Sequence, residues 1–214
     1  MKKILFNDKF QLTQAVLDGR KTQTRRIINP QPEVSERMGM VWKGYAYGIT
    51  SPYGSPCFLK DVYHNFLSGT NYPQCRRYKV GEVVAVAQSY NDCGYDGNTY
   101  LGVEGGWVPF SETAGWTNKM FTLADQMQHF IRITDVRVER LNDISESDCL
   151  AEGVLHSDKY AMPYGIPDRK APNGVDFYYS TPREAYAALI DKISGKGTFE
   201  SNPYVFVYEF ELVK

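Results

Sequence analysis

The sequence predicts an α+β fold: a small, partly closed β-barrel with a few peripheral helices. Three observations support this. Short apolar runs with strand character outnumber clear helical signals. They are spread from the N-terminal to the C-terminal end of the chain, as in small mixed barrels. Two long aperiodic stretches, about 31–78 and 89–128, break the pattern and read as insertions into a single domain spanning 1–214.

Taken in order, Ile4 to Phe6 reads as a short strand. Asn7 or Asp8 can cap a helix running to about Asp18, with Leu12, Ala15 and Val16 on one face and Gly19 as its stop. Thr22 to Ile28 reads as a strand ended by Asn29-Pro30-Gln31-Pro32. The first insertion is rich in Gly, Pro and aromatics, which suits a β-rich lid or a flexible decoration.

Val80 to Gln88 is a nearly continuous apolar run, as in a buried strand. Between Phe130 and Leu141 the apolar phase slips from Ile131 and Ile133 to Val136 and Val138, which predicts a β-bulge near Thr134-Asp135. Ser145 reads as the N-cap of a short helix that Gly153 ends, with Ile144 able to staple onto Cys149. Thr181-Pro182-Arg183-Glu184 combines a cap, a first-turn proline and a capping-box glutamate. Tyr204 to Val213 is a closing strand with Phe206, Tyr208, Phe210 and Leu212 on one side.

Composition narrows the function. The net charge of -1 argues against a general electrostatic coat for nucleic acid, so any such contact must come from a local patch. Ile4-Leu5-Phe6 is too short for a secretory signal core, and no apolar segment approaches membrane-spanning length. A cytoplasmic location with no membrane partner is expected. Cys57, Cys75, Cys93 and Cys149 form no CxxC pair, and His64, His129 and His156 lack ligand spacing. Free thiols, no metal and no cofactor are the expectation.

The strongest chemical signal is Gly19-Arg20-Lys21-Thr22-Gln23-Thr24-Arg25-Arg26-Ile27, where four of nine residues are cationic. Such a run needs an anion, either within the fold or in a ligand, and a bare solvated basic turn is the bland alternative. Lys and Arg donate to phosphate, and a threonine hydroxyl can donate, accept or attack.

Four stretches in order resemble the ASCH family. They are the basic run, Tyr78 to Val86, Ile133 to Leu141 with Asp143-Ile144-Ser145 and Ala151-Glu152-Gly153, and Asn202 to Glu211. The longer phage and prophage ASCH-domain proteins are the most similar. The resemblance implies a PUA-like barrel and RNA-related binding. A small bacterial member with a similar lysine-threonine-arginine motif removes acetyl from N4-acetylcytidine. By that likeness Lys21 and Thr24 match its catalytic lysine and threonine, and Glu152 its catalytic glutamate. The implied partner is RNA or a modified nucleoside, with Arg20, Thr22, Arg25, Arg26 and Asn202 as candidate ligand contacts.

The residues make chemical sense of this. Threonine needs a base, and lysine serves only with a depressed pKa, which burial or neighbouring arginines can supply. In a strand, Thr22, Thr24 and Arg26 point to one face and Gln23 and Arg25 to the other. Glu152 could protonate a leaving amine or orient Lys21. Three possibilities stay open: chemistry, a binding pocket using the same groups, or a structural ion pair from Lys21 or Arg26 to Glu152. Trp42, Trp107 and Trp116 could stack on a base or simply pack. Asn202 could bring an amide to a pocket rim, while Pro203 sets the strand entry. A different class of function, an accessory protein that binds a protein partner through its aromatic insertions, is the alternative.

Overall fold

The computed structural model describes residues 1–36, 39–42, 45–48, 57–60 and 77–213, with backbone alone at Ser35, 45–48 and 57–60. It is a mixed α+β structure, rich in sheet and with few helices. The main sheet contains β1 (Lys3–Ile4), β2 (Gln23–Ile27), β3 (Val83–Val86), β4 (Phe130–Arg140) and β5 (Tyr204–Val213), in the spatial order β1-β3-β4-β5-β2. β1 runs parallel to β3, and the other pairs are antiparallel. The helices are α1 (Leu12–Leu17), α2 (Glu146–Ala151) and α3 (Pro182–Ser194), followed by a short turn of helix at Thr198–Ser201.

The expected partly closed barrel is not formed by strand pairing, because among the described residues no ladder joins β1 to β2. A side chain spans the gap instead: Arg26 at the end of β2 donates to the carbonyl of Leu5, just past β1, at 2.5 Å. The sheet is therefore open, with its two edge strands in side-chain contact.

Alternation along β5 divides the interior. Phe206, Tyr208 and Phe210 pack with Ile4, Val84, Val86, Ile131 and Ile133 and with Leu12 and Val16 of α1. Val205 and Val207 face Leu141, Cys149, Tyr186 and Ile190 beneath α2 and α3. The register slips between Ile133 and Asp135, so the anticipated bulge is present. Ser145 accepts from the amide of Asp148, Thr181 and Glu184 form the capping box, and Ile144 and Cys149 share one cluster.

Some boundaries differ from expectation. α1 starts at Leu12, because Lys9 to Gln11 form a turn that ends with Gln11 in a left-handed conformation, and Asn7 and Asp8 serve that turn. Val80 and Gly81 make a turn before β3. The first insertion supplies a four-stranded antiparallel sheet, Glu33–Ser35, Gly39–Trp42, Tyr45–Gly48 and Cys57–Lys60. The second holds a hairpin, Tyr100–Val103 with Gly106–Pro109. A further three-stranded sheet, Leu155–His156, Tyr164–Pro167 and Val175–Tyr179, had no forecast. Among the described residues no helix is long and apolar enough to cross a membrane.

Candidate functional site

The site begins at the end of α1. Gly19 takes a positive φ of 73°, and the amides of Arg20 and Lys21 both donate to the carbonyl of Ala15 at 2.9 Å. This tight reversal turns Lys21 inward. The amide of Thr22 then donates to the carbonyl of Ala151 at 2.9 Å, which fastens the start of β2 to the end of α2.

Glu152 is the C-cap of α2, and Gly153 follows with φ at 106°. A side chain there would be strained, and its Cβ would sit 3.0 Å from Leu12 and 3.6 Å from the Lys21 stem. Gly153 thus permits the left-handed turn after α2 and the close approach of Leu12, beside which the Lys21 stem lies. Lys21 Nζ donates to Glu152 Oε2 at 2.6 Å and to the Glu152 carbonyl at 2.7 Å. The other carboxylate oxygen accepts from Arg25 Nη1 at 3.2 Å. Lys21 and Glu152 are only 2% and 5% exposed, so the pair is desolvated.

Burial lowers the pKa of Lys21. The charge of Glu152 opposes this, while Arg26 and Arg25 push the same way as burial. Burial also works against the charge of Arg25, but Glu152 and Glu139 outweigh it, and its pKa is raised.

Arg25 differs from expectation. Its side chain is fully enclosed and bonds Glu139 at 2.6 Å, Asp148 at 3.0 Å and Glu152 at 3.2 Å. It holds Glu152 in place and has no surface to offer a ligand. Gln23 braces the same cluster through Asp148 and Glu209.

Lys21, Thr24, Arg26 and Glu152 line one cleft of about 270 Å³, together with Phe6 and with Tyr186 and Leu189 of α3. Among the described residues the Thr24 hydroxyl has no hydrogen-bond partner, and Lys21 donates to Glu152 rather than to it. Lys21 Nζ and the Arg26 guanidinium lie 5.8 and 5.9 Å from the Phe6 ring centroid.

Three other candidates lie elsewhere. Arg20 is exposed and pairs with Asp18 at 3.1 Å. Thr22 is exposed and acts through its backbone. Asn202 takes a left-handed conformation (φ 48°), and its side-chain carbonyl accepts from the amide of Asn142 at 2.8 Å, so it ties a turn together away from the cleft. None of the three tryptophans lines the cleft: Trp42 is buried, Trp116 packs on Gly97, and Trp107 is exposed.

Tyr186 carries no sequence signal for this site beyond its place on the apolar face of α3. Its side chain is 2% exposed, yet its hydroxyl has no hydrogen-bond partner among the described residues. Burial, and then the charge of Glu152, raise its pKa well above the usual phenol value, so it is a neutral donor.

Cys93 and Cys149 are free and buried. The side chain of Cys57, and Cys75 and His64, lie outside the described residues. Among the described residues no group of three or more His, Cys, Asp or Glu could hold a metal. Comparison with family models, with curated proteins and with solved structures finds no match for this chain.

Proposed function

We propose that this chain recognises a nucleobase, alone or within a nucleotide or single-stranded RNA, in the Lys21 cleft, and hydrolyses an N-acylated cytosine there. One observation carries the reading. Lys21 and Glu152, far apart in sequence, meet as a buried 2.6 Å pair in the wall of a cleft that also holds the Thr24 hydroxyl, which has no partner among the described residues. Ligand pockets start at about 300 Å³. A cleft of about 270 Å³ falls just below that range, which limits what enters it to a small group such as a single base. The ASCH-like sequence pattern supports the same reading.

The chemistry follows from the contacts. In the reaction Lys21 first passes a proton to Glu152 along their 2.6 Å bond, which gives the neutral amine and the carboxylic acid that the next steps use. The amine, once turned from Glu152, accepts the proton of Thr24 as its oxygen attacks the acyl carbonyl. Glu152 gives its proton to the departing exocyclic nitrogen. Water, losing a proton to Glu152, then attacks the acyl carbonyl; the bond to Thr24 breaks as Lys21 returns its proton to the threonine oxygen, and the acid leaves. Arg26, the exposed cation at the cleft wall, holds the ligand without taking part in proton transfer.

Incubation with N4-acetylcytidine should release cytidine and acetate. Thr24→Val removes only the hydroxyl and should abolish turnover with the fold intact. Lys21→Arg should abolish it as well, since arginine stays protonated. Turnover that survives Thr24→Val would exclude Thr24 as nucleophile and leave a Lys21-activated water. Failure of the wild type to bind or cleave any acylated pyrimidine would remove the proposal.

A further inference from the structure

A second cavity of about 300 Å³ adjoins the Lys21 cleft and shares Leu5, Arg26 and Ile27 with it. On one face of β2 and its continuation, Thr24, Arg26 and Ile28 follow at intervals of two residues, so Thr24 and Ile28 stand about 13 Å apart. Thr24 lines the first cavity, Ile28 the second, and Arg26 both. That is the length over which a base, its sugar and a phosphate extend.

The second cavity has a different chemistry. It holds Arg26 and Arg77, both exposed, against a wall of Trp42, Tyr78 and Phe206. Among the described residues neither arginine has a carboxylate partner, whereas the neighbouring Arg25 has three. Residue 77 is held in place: its amide donates to the Tyr208 hydroxyl at 3.1 Å, and its guanidinium lies 5.7 Å from the Tyr78 ring centroid. Tyr78 is itself anchored through its hydroxyl to the carbonyl of Lys3 at 2.9 Å. Two unneutralised guanidinium groups at an aromatic wall suit a phosphoryl group, which they can grip bidentately where water is partly excluded.

We infer that this second cavity is the phosphate subsite of the ligand whose base enters the Lys21 cleft, so that the substrate is a phosphorylated nucleotide rather than a free nucleoside. The inference rests on the base-binding reading of that cleft and adds Arg77 to it. Among the described residues, phosphate bridging Arg26 and Arg77 replaces no existing ion pair, so its charge-assisted attraction is available to the complex.

Calorimetric titration tests this with cytidine, its 5′- and 3′-monophosphates, the dinucleoside phosphate CpC, and ribose 5-phosphate. One phosphate-bearing ligand should bind at least about tenfold more tightly than cytidine, the equivalent of one charge-assisted hydrogen bond. Arg77→Ala should erase that advantage and leave cytidine affinity unchanged. Thr24→Val should weaken cytidine and the nucleotides alike and preserve their ratio. Preference for CpC would assign the site to an internal phosphodiester, and preference for a monophosphate to a free nucleotide. Ribose 5-phosphate has no base. If it binds and loses affinity in Arg77→Ala while Thr24→Val changes nothing, the phosphate subsite stands and the base-binding reading falls. Equal affinities for cytidine and all phosphate-bearing ligands, a preference that survives Arg77→Ala, or no binding of any of these probes would overturn the inference.

Discussion

Replacing Glu152 by Gln keeps the shape of the buried cluster and removes its shared charge. Lys21 then retains only neutral acceptors, the residue-152 carbonyl at 2.7 Å and the new amide oxygen, while Arg25 and Arg26 continue to repel it. Stranding one member of a buried pair costs about 3–5 kcal/mol. For a chain of this size that corresponds to a fall in melting temperature of roughly 6–20 °C. The reverse change, Lys21→Met, is milder, because Glu152 keeps Arg25 at 3.2 Å and Arg25 keeps Glu139 and Asp148. It forfeits the ion-paired hydrogen bond to Oε2, about 1.5–3 kcal/mol, and the bond to the Glu152 carbonyl, about 0.5–1.5 kcal/mol. The double variant leaves no stranded ammonium and should be more stable than Glu152→Gln alone, a coupling of about 0.5–3 kcal/mol.

pH sharpens the test. Burial lowers the folded-state pKa of Lys21 below its ordinary 10.5, with Glu152 opposing the shift. The unfolded chain therefore binds more protons between those two values, and stability from this group rises with pH through that window. Removing Glu152 lowers the folded pKa further and widens the window, so the deficit of Glu152→Gln should shrink as pH climbs toward 10.5. Thermal unfolding followed by circular dichroism at several pH values measures all of this. The reasoning fails if Glu152→Gln costs no more than Lys21→Met, or if the double variant loses the plain sum of the two.

Other perturbations follow from the same surroundings. Tyr186→Phe removes a buried hydroxyl without a partner and should raise the stability of the ligand-free protein by about 1–3 kcal/mol, read as a higher urea midpoint, while weakening nucleoside binding; a lower midpoint would show that the hydroxyl is already satisfied. Gly153→Ala forces a side chain into a backbone at φ 106° and against Leu12, and should cost about 1–3 kcal/mol; an unchanged urea midpoint would contradict it. Burial pushes the Cys149 thiol up to about 12, so peptide mapping after alkylation at pH 8 should find Cys149 unmodified in the native protein and modified in urea. Modification under native conditions would mean that α2 opens.

What the sequence made legible was local. The bulge at Ile133/Asp135 shows because a strand alternates with a period of two, so one inserted residue displaces the apolar phase. The caps at Ser145 and Thr181 show because their partners sit three residues away. Lys21 and Thr24 stand out because charge and hydroxyls crowd a short run beside a glycine stop. The failures come where a distant partner decides. Strand alternation correctly separates Arg25 from Thr24, but it does not disclose that Glu139 of β4, Asp148 of α2 and Glu152 converge on that guanidinium and use it up. The basic run therefore offered Arg20, Arg25 and Arg26 as ligand contacts beside a catalytic Lys21, whereas the fold encloses Arg25, pairs Arg20 with Asp18, and leaves Arg26 at the cleft wall.

Glu152 is the opposite case. Nothing local separates it from Glu146 at the start of the same helix, and only the resemblance singled it out. The fold supplies a physical reason for its importance, which is its position at the C-cap of α2, where both its carbonyl and its carboxylate meet the buried Lys21 ammonium. Barrel closure was illegible for a related reason. Whether the edges of β1 and β2 pair depends on how the whole sheet curls, and here the join is one side-chain bond from Arg26 to Leu5. That bond sits between the two cavities, so the open edge that departs from the expected barrel is also where the Lys21 cleft and its neighbour adjoin.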